Sequence, residues 1–330
     1  MTGFYKTRKT LGNRFITMKV IIFGGLGQDG ILLTKQLSKD KAKIIITSRN
    51  LNNQTKNHLK KVNHRLVKIN FTNQSQIADL IKTEQPDQIY FLSGQSSVGK
   101  SFKMPVETYK SFTDDLIMVL DSVKKFSPRS KIFNPSSAEV FGNSQFPLTE
   151  LSEHKPCSPY GLAKSASTEI CKYYRDNESL FIVNGYLFNH ESLYRPDHFV
   201  TKKIINFVKN LKNNLNQKLY LGNVDIIRDW GCAEEYVIGM IKALESNYNE
   251  DFIFATGQSN SLRDFLLVAF EYIGKDYLDF IEINKENIRE SDIIENHADP
   301  TKAKKLLGWE TKVSFNDLVK KLMKNNLTLN

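Results

Sequence analysis

From Met18 onward, short apolar runs alternate with stretches of helical periodicity, and few folds accommodate such a chain. The runs are rich in Ile, Val and Phe, as is typical of strands covered on both faces. They comprise Lys19–Phe23, Lys43–Thr47, Leu66–Ile69, Gln88–Leu92, Lys131–Phe133 and Phe181–Leu187. Helical stretches lie near residues 28–39, 73–84, 105–126 and 159–177. Strands that alternate with helices predict βαβ units and a parallel sheet. We therefore predict an α/β fold, a Rossmann doubly wound parallel sheet with a smaller C-terminal α/β substrate domain.

The length of 330 residues suits one large domain with a smaller one attached. Residues 1–17 are basic and lack the apolar core of a signal peptide, so we expect a flexible N-terminal extension. We assign residues 18–187 to a dinucleotide-binding domain, with a later return near 222–256, and residues 188–330 mainly to the substrate domain. The elements predicted in this second half are strands at Lys218–Leu221 and Phe252–Ala255 and helices near 233–246, 261–273 and from Pro300 to about Gly308.

The net charge of +10 raises the question of nucleic-acid binding. Four of the basic residues lie in the N-terminal stretch, and no motif that reads nucleic acid accompanies the others. We therefore expect no nucleic-acid partner, because an anionic substrate explains the basic balance more simply. No apolar stretch reaches the roughly 18 residues that a membrane span needs, so we expect no membrane association.

Three cysteines, Cys157, Cys171 and Cys232, lie far apart in the sequence. Their spacing matches neither a disulfide framework nor a metal site. Such cysteines indicate free thiols in a reducing compartment. We predict a cytoplasmic protein without a bound metal.

Three glycines, Gly24, Gly27 and Gly30, directly follow the first apolar run and open the first helical stretch. Glycine lets the backbone turn tightly and approach a pyrophosphate, which then lies on the N–H groups of the helix N-terminus. A simple tight turn is the alternative, but the position after the first strand favours a dinucleotide site.

The end of the second run bears on the choice of nicotinamide cofactor. NAD sites usually carry an acidic residue there for the ribose 2′-hydroxyl, whereas this chain has Thr47-Ser48-Arg49. Arg49 suits a 2′-phosphate, so we predict NADP over NAD; a solvated arginine is the alternative. Further cofactor contacts are predicted from position alone at the ends of the third and fourth runs, at Asn70, Phe71, Leu92 and Gln95.

Tyr160 and Lys164 form a Y-x-x-x-K motif in a predicted helix. A spacing of four puts both side chains on one helix face. A cationic lysine, together with a positively charged cofactor, would lower the pKa of the phenol, which then removes a proton from an alcohol. Because this motif is common by chance, a surface pair remains the alternative. Its position after a glycine turn and five strands favours catalysis.

Ser137 and Glu139 follow the fifth apolar run. A hydroxyl at this point is suited to hydrogen-bonding the reacting oxygen. A carboxylate beside it is not needed for simple alcohol oxidation, but elimination of water needs a base and an acid. A helix-start glutamate that is stabilised by the helix dipole is the structural alternative.

These residues stand within longer blocks that resemble the extended short-chain dehydrogenases/reductases, and most closely the GDP-mannose 4,6-dehydratase family. The resemblance runs from about Lys19 to about Met323. Its most specific blocks are Gly27-Gln28-Asp29-Gly30, Ser158-Pro159-Tyr160-Gly161 with Ala163-Lys164, Leu187-Phe188-Asn189-His190-Glu191-Ser192, Arg228-Asp229-Trp230-Gly231, and Asp299-Pro300-Thr301-Lys302-Ala303-Lys304.

The resemblance implies a reaction in three stages at one site. Tyr160, supported by Lys164 and Ser137, would take the proton of the sugar 4-hydroxyl as hydride passes to NADP. Glu139 would remove the C5 proton and assist loss of the 6-hydroxyl, and the hydride would return to C6. The product would be a 4-keto-6-deoxy sugar, with the cofactor regenerated.

The resemblance also implies the partners. The nucleotide-sugar contacts of the family carry over to Asn189, Lys203, Arg228 and Arg289, whose cations suit a diphosphate. Glu191 would lie beside the reacting sugar or the nicotinamide, and Gln28 and Asp29 belong to the cofactor block. The segment that begins at Arg49 resembles one that pairs subunits in the family, so we expect a homodimer or homotetramer.

Two predicted substrate residues depart from the family pattern. Ser97 stands where the family usually has His, and Asp292 stands where it has Glu. The open alternatives are a 4,6-dehydratase for another GDP-hexose or heptose, such as GDP-N-acetylglucosamine, and an epimerase or 4-dehydrogenase of a nucleotide sugar. A non-catalytic NADP-binding regulator is the alternative from another class. The Ser137, Glu139, Tyr160 and Lys164 set argues against an epimerase, a dehydrogenase and a regulator.

Overall fold

The computed structural model describes residues 10–11, 14–15, 17–51, 54–211, 216–284, 286 and 293–324. Most of the predicted extension, residues 1–17, lies outside these ranges; within it, Thr10–Leu11 pairs antiparallel with Arg14–Phe15. Arg289 and Asp292 also lie outside the described residues.

The main sheet has seven strands, all parallel, which confirms the predicted fold class. Six of them precede residue 188: β1 (Lys19–Phe23), β2 (Lys43–Ser48), β3 (Arg65–Lys68), β4 (Gln88–Phe91), β5 (Lys131–Ser137) and β6 (Phe181–Leu187). The seventh, β10 (Phe252–Phe254), returns from the second half and pairs with β6. The spatial order is β3-β2-β1-β4-β5-β6-β10, so the order reverses between β1 and β4. Ligands bind at such a switch point in parallel sheets.

Helices cover both faces of this sheet, as the uniformly apolar strands require. The helices of the first half are α1 (Gln28–Lys39), α2 (Gln74–Glu84), α3 (Val98–Lys103), α4 (Pro105–Phe112), α5 (Asp114–Phe126) and α6 (Pro159–Asn177). On one face, Ile22 and Tyr90 pack into a buried cluster with residues of α1 and of the later helix α8 (Ala233–Glu245). On the other face, Ile21 and Ile89 pack with residues of α2, α5 and α6.

The single helix predicted over 105–126 is wrong in one respect, because the chain breaks it at Thr113. The Thr113 hydroxyl donates to the Tyr109 carbonyl at 3.0 Å and lies 3.2 Å from Asp114 Oδ1. The Tyr109 carbonyl also accepts the Thr113 N–H at 3.1 Å, so the hydroxyl adds a second bond to it; such bonding from a Ser or Thr side chain often bends a helix. The break sets Phe112, the last residue of α4, under the active-site cavity described below.

The second region combines short strands with three helices. Its strands are β7 (Asn189–Glu191), β8 (Leu219–Leu221), β9 (Ile227–Cys232), β11 (Ser259–Ser261) and β12 (Ile281–Ile283). Strand β9 lies between β7 and β11 in a three-stranded sheet, and β8 pairs with β12. Helices α7 (Val200–Asn210), α9 (Leu262–Glu271) and α11 (Phe315–Lys324) close a separate apolar core around Trp230 and Phe265. The remaining helix, α10 (Thr301–Leu307), lies against β10. Among the helices described, none is long and apolar enough to cross a bilayer.

Candidate active site

A cavity of about 430 Å³ lies at the carboxyl edge of the main sheet, where the strand order reverses. The glycine turn after β1 forms one wall, and the ends of β4 and β5 form the floor. Residues of β7, β9 and α7 form the opposite wall. The structure thus brings most predicted site residues into one space: Gly24, Gly27, Gln28, Asp29, Gly30, Leu92, Ser97, Ser137, Glu139, Tyr160, Lys164, Asn189, Glu191 and Arg228.

The three glycines of the turn are needed for different reasons. Gly24 has φ of +81°, and a Cβ there would lie 2.6 Å from the Leu92 carbonyl oxygen. A Cβ on Gly30 would lie 2.6 Å from the Gly25 Cα, so α1 could not pack against the turn. Gly27 differs, because a Cβ there would meet nothing closer than the Gly24 carbonyl oxygen at 3.5 Å. Protein packing therefore requires Gly24 and Gly30, whereas at Gly27 a Cβ would have room within the protein.

The first turn of α1 fits a dinucleotide pyrophosphate. Gly27 is the N-cap, and no side chain caps the free N–H groups of this turn. A helix N-terminus whose backbone N–H groups are not capped by a side chain is suited to binding an anion. The space at Gly27 is therefore a cradle that a side chain would fill.

Arg49 follows β2 and is exposed, and it lies outside the residues that line the cavity. The Arg49 charge acts on Asp115, which lies in the first turn of α5. Burial raises the pKa of Asp115 to about 6, against the opposing effect of the Arg49 guanidinium. The two residues predicted to contact the adenine differ in exposure. Asn70 is exposed, whereas Phe71 is buried against Phe23, with a distance of 5.8 Å between the ring centroids.

The loop after β4 contributes its backbone and one hydroxyl. The Ser97 side chain caps α3 by accepting from the Lys100 N–H at 3.3 Å, and Ser97 lines the cavity. Gln95, predicted as a cofactor contact, turns its side chain back onto the same loop. Its amide donates to the Ser97 carbonyl at 2.8 Å, and Gln95 is absent from the described lining of the cavity.

Tyr160 and Lys164 lie on the first turns of α6, which begins at Pro159; the side chain of the N-cap residue Ser158 accepts from the Gly161 N–H. Both side chains are buried, and the Lys164 ammonium donates to the Pro135 carbonyl at 2.6 Å. The predicted lowering of the phenol pKa required a positively charged cofactor beside Lys164, and in the protein alone the pKa of Tyr160 is raised. Burial raises the pKa of Tyr160, a hydrogen bond from Ser137 opposes it, and the Glu139 charge adds to it. Burial also lowers the pKa of Lys164 to about 7.

Ser137 and Glu139 lie beside this pair because β5 ends there. The Ser137 hydroxyl accepts from the Glu139 N–H at 3.3 Å and caps a short 3₁₀ turn, Ala138–Val140. Gly161 lets α6 approach this turn closely, since a Cβ there would lie 2.6 Å from the Glu139 carbonyl oxygen. The half-buried Glu139 carboxylate is close enough to affect the Tyr160 pKa. The Tyr160–Lys164 pair and the Glu139 carboxylate therefore share one small volume.

The opposite wall carries the predicted substrate residues. Arg228 is only 6% exposed and donates to the Ile227 carbonyl at 2.9 Å. Glu191 is buried and pairs with Arg195 at 2.8 Å. Asn189 begins β7 at the cavity. Lys203 is exposed on α7, one turn beyond the cavity-lining Val200, and the structure does not bring it among the lining residues.

Sequence reasoning missed one pairing that joins the two walls. His190 of β7 lies 3.1 Å from Asp29 of α1, and its other ring nitrogen lies 2.7 Å from the Phe188 carbonyl oxygen. Burial raises the pKa of Asp29, but His190 and Arg195 outweigh it and lower that pKa to about 2. Gln28 adds a bond to the His190 carbonyl at 3.1 Å and accepts one from Ser192 at 3.0 Å. The only signal was that both members stand in blocks of the family resemblance.

Fold and site together define a Rossmann-fold enzyme of the extended short-chain dehydrogenase/reductase class. Within this class the chain belongs to the GDP-mannose 4,6-dehydratase family, whose sequence profile matches residues 21–322. GDP-mannose 4,6 dehydratase 1 of Arabidopsis thaliana is 34% identical over 323 residues, which cover 94% of this chain and 90% of the plant protein. The human GDP-mannose 4,6 dehydratase is 31% identical over 339 residues, with 94% and 91% covered.

Solved structures show the same fold at lower sequence identity. The UDP-glucose 4-epimerase of Thermotoga maritima superimposes with a TM-score of 0.83 at 20% identity, covering 93% of this chain and 98% of that chain. A dTDP-glucose 4,6-dehydratase of Streptomyces venezuelae, solved with NAD bound, gives a TM-score of 0.82 at 19% identity, covering 92% and 96%.

Proposed function

We propose that this protein converts GDP-mannose to GDP-4-keto-6-deoxymannose by oxidation at C4, elimination of water across C5 and C6, and return of hydride to C6. The observation that carries the proposal is the presence of Glu139 in the same cavity as Tyr160, Lys164 and the glycine turn. An epimerase or a 4-dehydrogenase has no need of a carboxylate beside the phenol.

We propose NADP as the cofactor. Gly27 and the N-terminus of α1 are suited to its pyrophosphate, and Arg49 is suited to its 2′-phosphate. Asn70, Phe71, Leu92 and Gln95 remain predicted contacts near the adenine and the ribose. A nicotinamide bound here supplies a hydride acceptor and, after reduction, a hydride donor.

Tyr160 is the proposed base for the sugar 4-hydroxyl. Its phenol is buried, and the hydrogen bond from Ser137 holds the phenol oxygen in place at the floor of the cavity. Deprotonation needs positive charge nearby, because burial raises the pKa of the phenol. Lys164 in its protonated form supplies such a charge, and Ser137 then donates to the developing carbonyl oxygen.

Glu139 is the proposed acid/base for the elimination. A carbonyl at C4 acidifies the proton on C5, so oxidation has to precede loss of water. The carboxylate removes that proton and, once protonated, passes a proton to the departing 6-hydroxyl. The half-buried position of Glu139 leaves it access to the sugar beside the phenol.

The nucleotide diphosphate is proposed to lie on the opposite wall. Arg228 is buried beside the cavity and offers a guanidinium for bidentate binding of a phosphate. Asn189 and Glu191 line the same wall, and Ser97 faces it across the cavity. Lys203, Arg289 and Asp292 complete the proposed substrate set.

We further propose that two copies of the chain pair through α4 and α6 as a homodimer, and that the segment beginning at Arg49 would join two such dimers if the protein is a homotetramer. These helices pack together and expose apolar side chains, namely Val106, Tyr109, Leu162 and Tyr173. We also propose a cytoplasmic location, which the three free cysteines favour.

Incubation with a panel of GDP-, UDP-, CDP- and dTDP-sugars followed by mass analysis tests the proposed function. We expect loss of one water from GDP-mannose, with no net reduction of NADP. A product of unchanged mass would indicate an epimerase, and net formation of NADPH would indicate a dehydrogenase; either would overturn the proposal. Preference for another GDP-sugar would correct the substrate only.

A further inference from the structure

Phe112 contacts both members of the proposed catalytic pair. Its ring lies edge to face with the Tyr160 ring, at a centroid distance of 5.6 Å and an angle of 83°. The Lys164 ammonium lies 3.9 Å from the centroid of the same Phe112 ring. The Phe112 side chain is 3% exposed and lines the cavity from the end of α4.

The ammonium has few other groups to balance its charge. Its hydrogen bond is to the Pro135 carbonyl of β5 at 2.6 Å. In the described part of the chain, no carboxylate forms an ion pair with Lys164. The ionisable groups that act on it are Tyr160 and Cys171 on its own helix and Asp29 on α1. A buried ammonium in this setting is stabilised by the negative face of an aromatic ring.

The ring is held in place from the other side. Gly94 has φ of +133°, and a Cβ there would lie 2.2 Å from the Phe112 ring. Val98 packs against the same small cluster of Phe112, Tyr160 and Ala163. The loop after β4 therefore fixes the position of the Phe112 ring, and the ring in turn fixes the position of the Lys164 ammonium.

We propose that Phe112 is a positioning residue that holds the Lys164 ammonium charged and beside Tyr160 through a cation–π contact. This inference rests on the proposed function, since it gives Lys164 a task only if the Tyr160–Lys164 pair is catalytic. Simple packing is the competing explanation, because a buried phenylalanine fills space wherever it lies.

The two explanations differ in how they respond to fluorine. Fluorine atoms on the ring weaken the negative charge of its face and change its volume little, so a cation–π contact declines stepwise while packing stays nearly the same. We would replace Phe112 by phenylalanine with one, two and three ring fluorines, with Phe112→Leu as the variant that has no ring. The same fluorinated residues at Phe270, which is fully buried in the separate core around Trp230 and stacks on Phe280, are the matched control.

Two measurements are made on each variant. Dehydration of GDP-mannose should show kcat falling with each fluorine, by about 10- to 30-fold in total, with KM for the sugar nucleotide little changed. The titration of Lys164, followed by NMR of isotope-labelled lysine side chains without substrate, should show its pKa falling in the same order. Constant kcat and constant titration across the series would overturn the proposal.

The titration needs no substrate, and it therefore separates the two hypotheses. If the wild-type protein does not dehydrate GDP-mannose but the Lys164 pKa follows the series, the proposed function fails and the contact stands. If dehydration occurs but the pKa does not respond to fluorine, the contact has no electrostatic role and the inference fails alone.

Discussion

The two walls of the cavity are built from different parts of the protein. The wall after β1 is mostly backbone, in which glycines bring main-chain N–H groups to the surface of the cavity. The wall formed by β7 and β9 is mostly side chains, with Glu191 and Arg228 almost fully buried. A backbone wall suits a ligand part that is common to many enzymes, such as a pyrophosphate. A side-chain wall suits a ligand that differs from one enzyme to the next.

The difference also predicts which substitutions each wall tolerates. In the backbone wall, ligand binding depends on the shape of the surface and on the direction of the N–H groups. Side-chain atoms added there would therefore interfere with the ligand. A side-chain wall is sensitive to lost charges, since buried cations and carboxylates need partners. Substitutions of these two kinds therefore test whether the walls act separately.

The largest effect is expected on the floor, between the walls. Tyr160→Phe removes the proton acceptor without touching either wall, so kcat should fall by about 10²- to 10⁴-fold with cofactor affinity retained. Tyr186→Phe is the matched control: Tyr186 is equally buried, but its hydroxyl lies 3.2 Å from His154 Nε2, away from the cavity. Steady-state kinetics and fluorescence titration with NADPH measure both. A Tyr160→Phe enzyme that turns over normally would remove the phenol from the reaction.

Gly27→Ala and Gly30→Ala separate ligand needs from packing needs in the backbone wall. Gly27 has φ of −77°, which alanine adopts readily, and its Cβ has room within the protein. We expect stability to be unchanged and NADP affinity to fall by roughly 5- to 150-fold, as overpacking by about 1–3 kcal/mol implies. Gly30→Ala should instead lower the free energy of unfolding, because its Cβ meets backbone. Urea unfolding of the two variants, with and without NADP, measures both effects. An equal loss of stability in Gly27→Ala and Gly30→Ala would contradict the assignment of Gly27 to the ligand and Gly30 to packing.

Asp29→Asn tests the link between the walls. The pKa of Asp29 falls from 3.8 to about 2 on folding, which corresponds to about 2 kcal/mol of stability. Because the folded pKa is the lower one, this contribution is complete above pH 3.8 and is lost as the pH falls towards 2. Urea unfolding of the wild type and the variant should therefore differ at pH 7 and converge in acid.

Asp40→Asn, at the other end of the same helix, is the control for the Asp29 prediction. Burial raises the pKa of Asp40, so its charge disfavours folding, and removing that charge should be neutral or slightly stabilising. A similar loss of stability in both variants would assign the Asp29 effect to general helix electrostatics.

The smallest effect is expected at the outer end of the backbone wall. Asp115 lies near Arg49, and its carboxylate competes with a 2′-phosphate for the guanidinium. Asp115→Asn should tighten NADP about two- to fivefold and leave NAD unchanged. Since the pKa of Asp115 is about 6, wild-type and variant affinities should converge below that pH. Asp114→Asn on the same turn is the control, and an equal gain there would deny Asp115 its specific role.

Much of the fold followed from local sequence pattern. The bounds of β1, β6, α1 and α6 agree with the predicted segments, because neighbouring residues record them: buried apolar runs for the strands, the glycine turn before α1, and the Ser158 cap with Pro159 for α6. The strands β7, β9, β11 and β12 were missed. Strands β7, β11 and β12 have three residues each, too few to show a period. Strand β9 has six residues and is almost wholly buried, but its sequence mixes charged and apolar residues and so lacks an apolar run.

The site divides in the same way. The glycine turn and the spacing of Tyr160 and Lys164 are local, so the sequence alone indicated them. The contact of His190 with Asp29 joins residues far apart in the chain, and Phe112 reaches Lys164 only because α4 ends at Thr113. Such pairs depend on topology, which single-sequence periodicity does not record.

Strand β6 ends at Leu187 and β7 begins at Asn189, so one residue separates the main sheet from the three-stranded one. The chain closes the main sheet only later, with β10. During synthesis, the ribosome therefore delivers six strands and then must make the whole stretch up to Phe254 before β6 gains its outer neighbour. In that interval β6 is an unprotected edge, and an edge of this kind invites pairing with another nascent chain. Pairing with β10 therefore satisfies backbone groups of β6 that no earlier segment of the main sheet can reach.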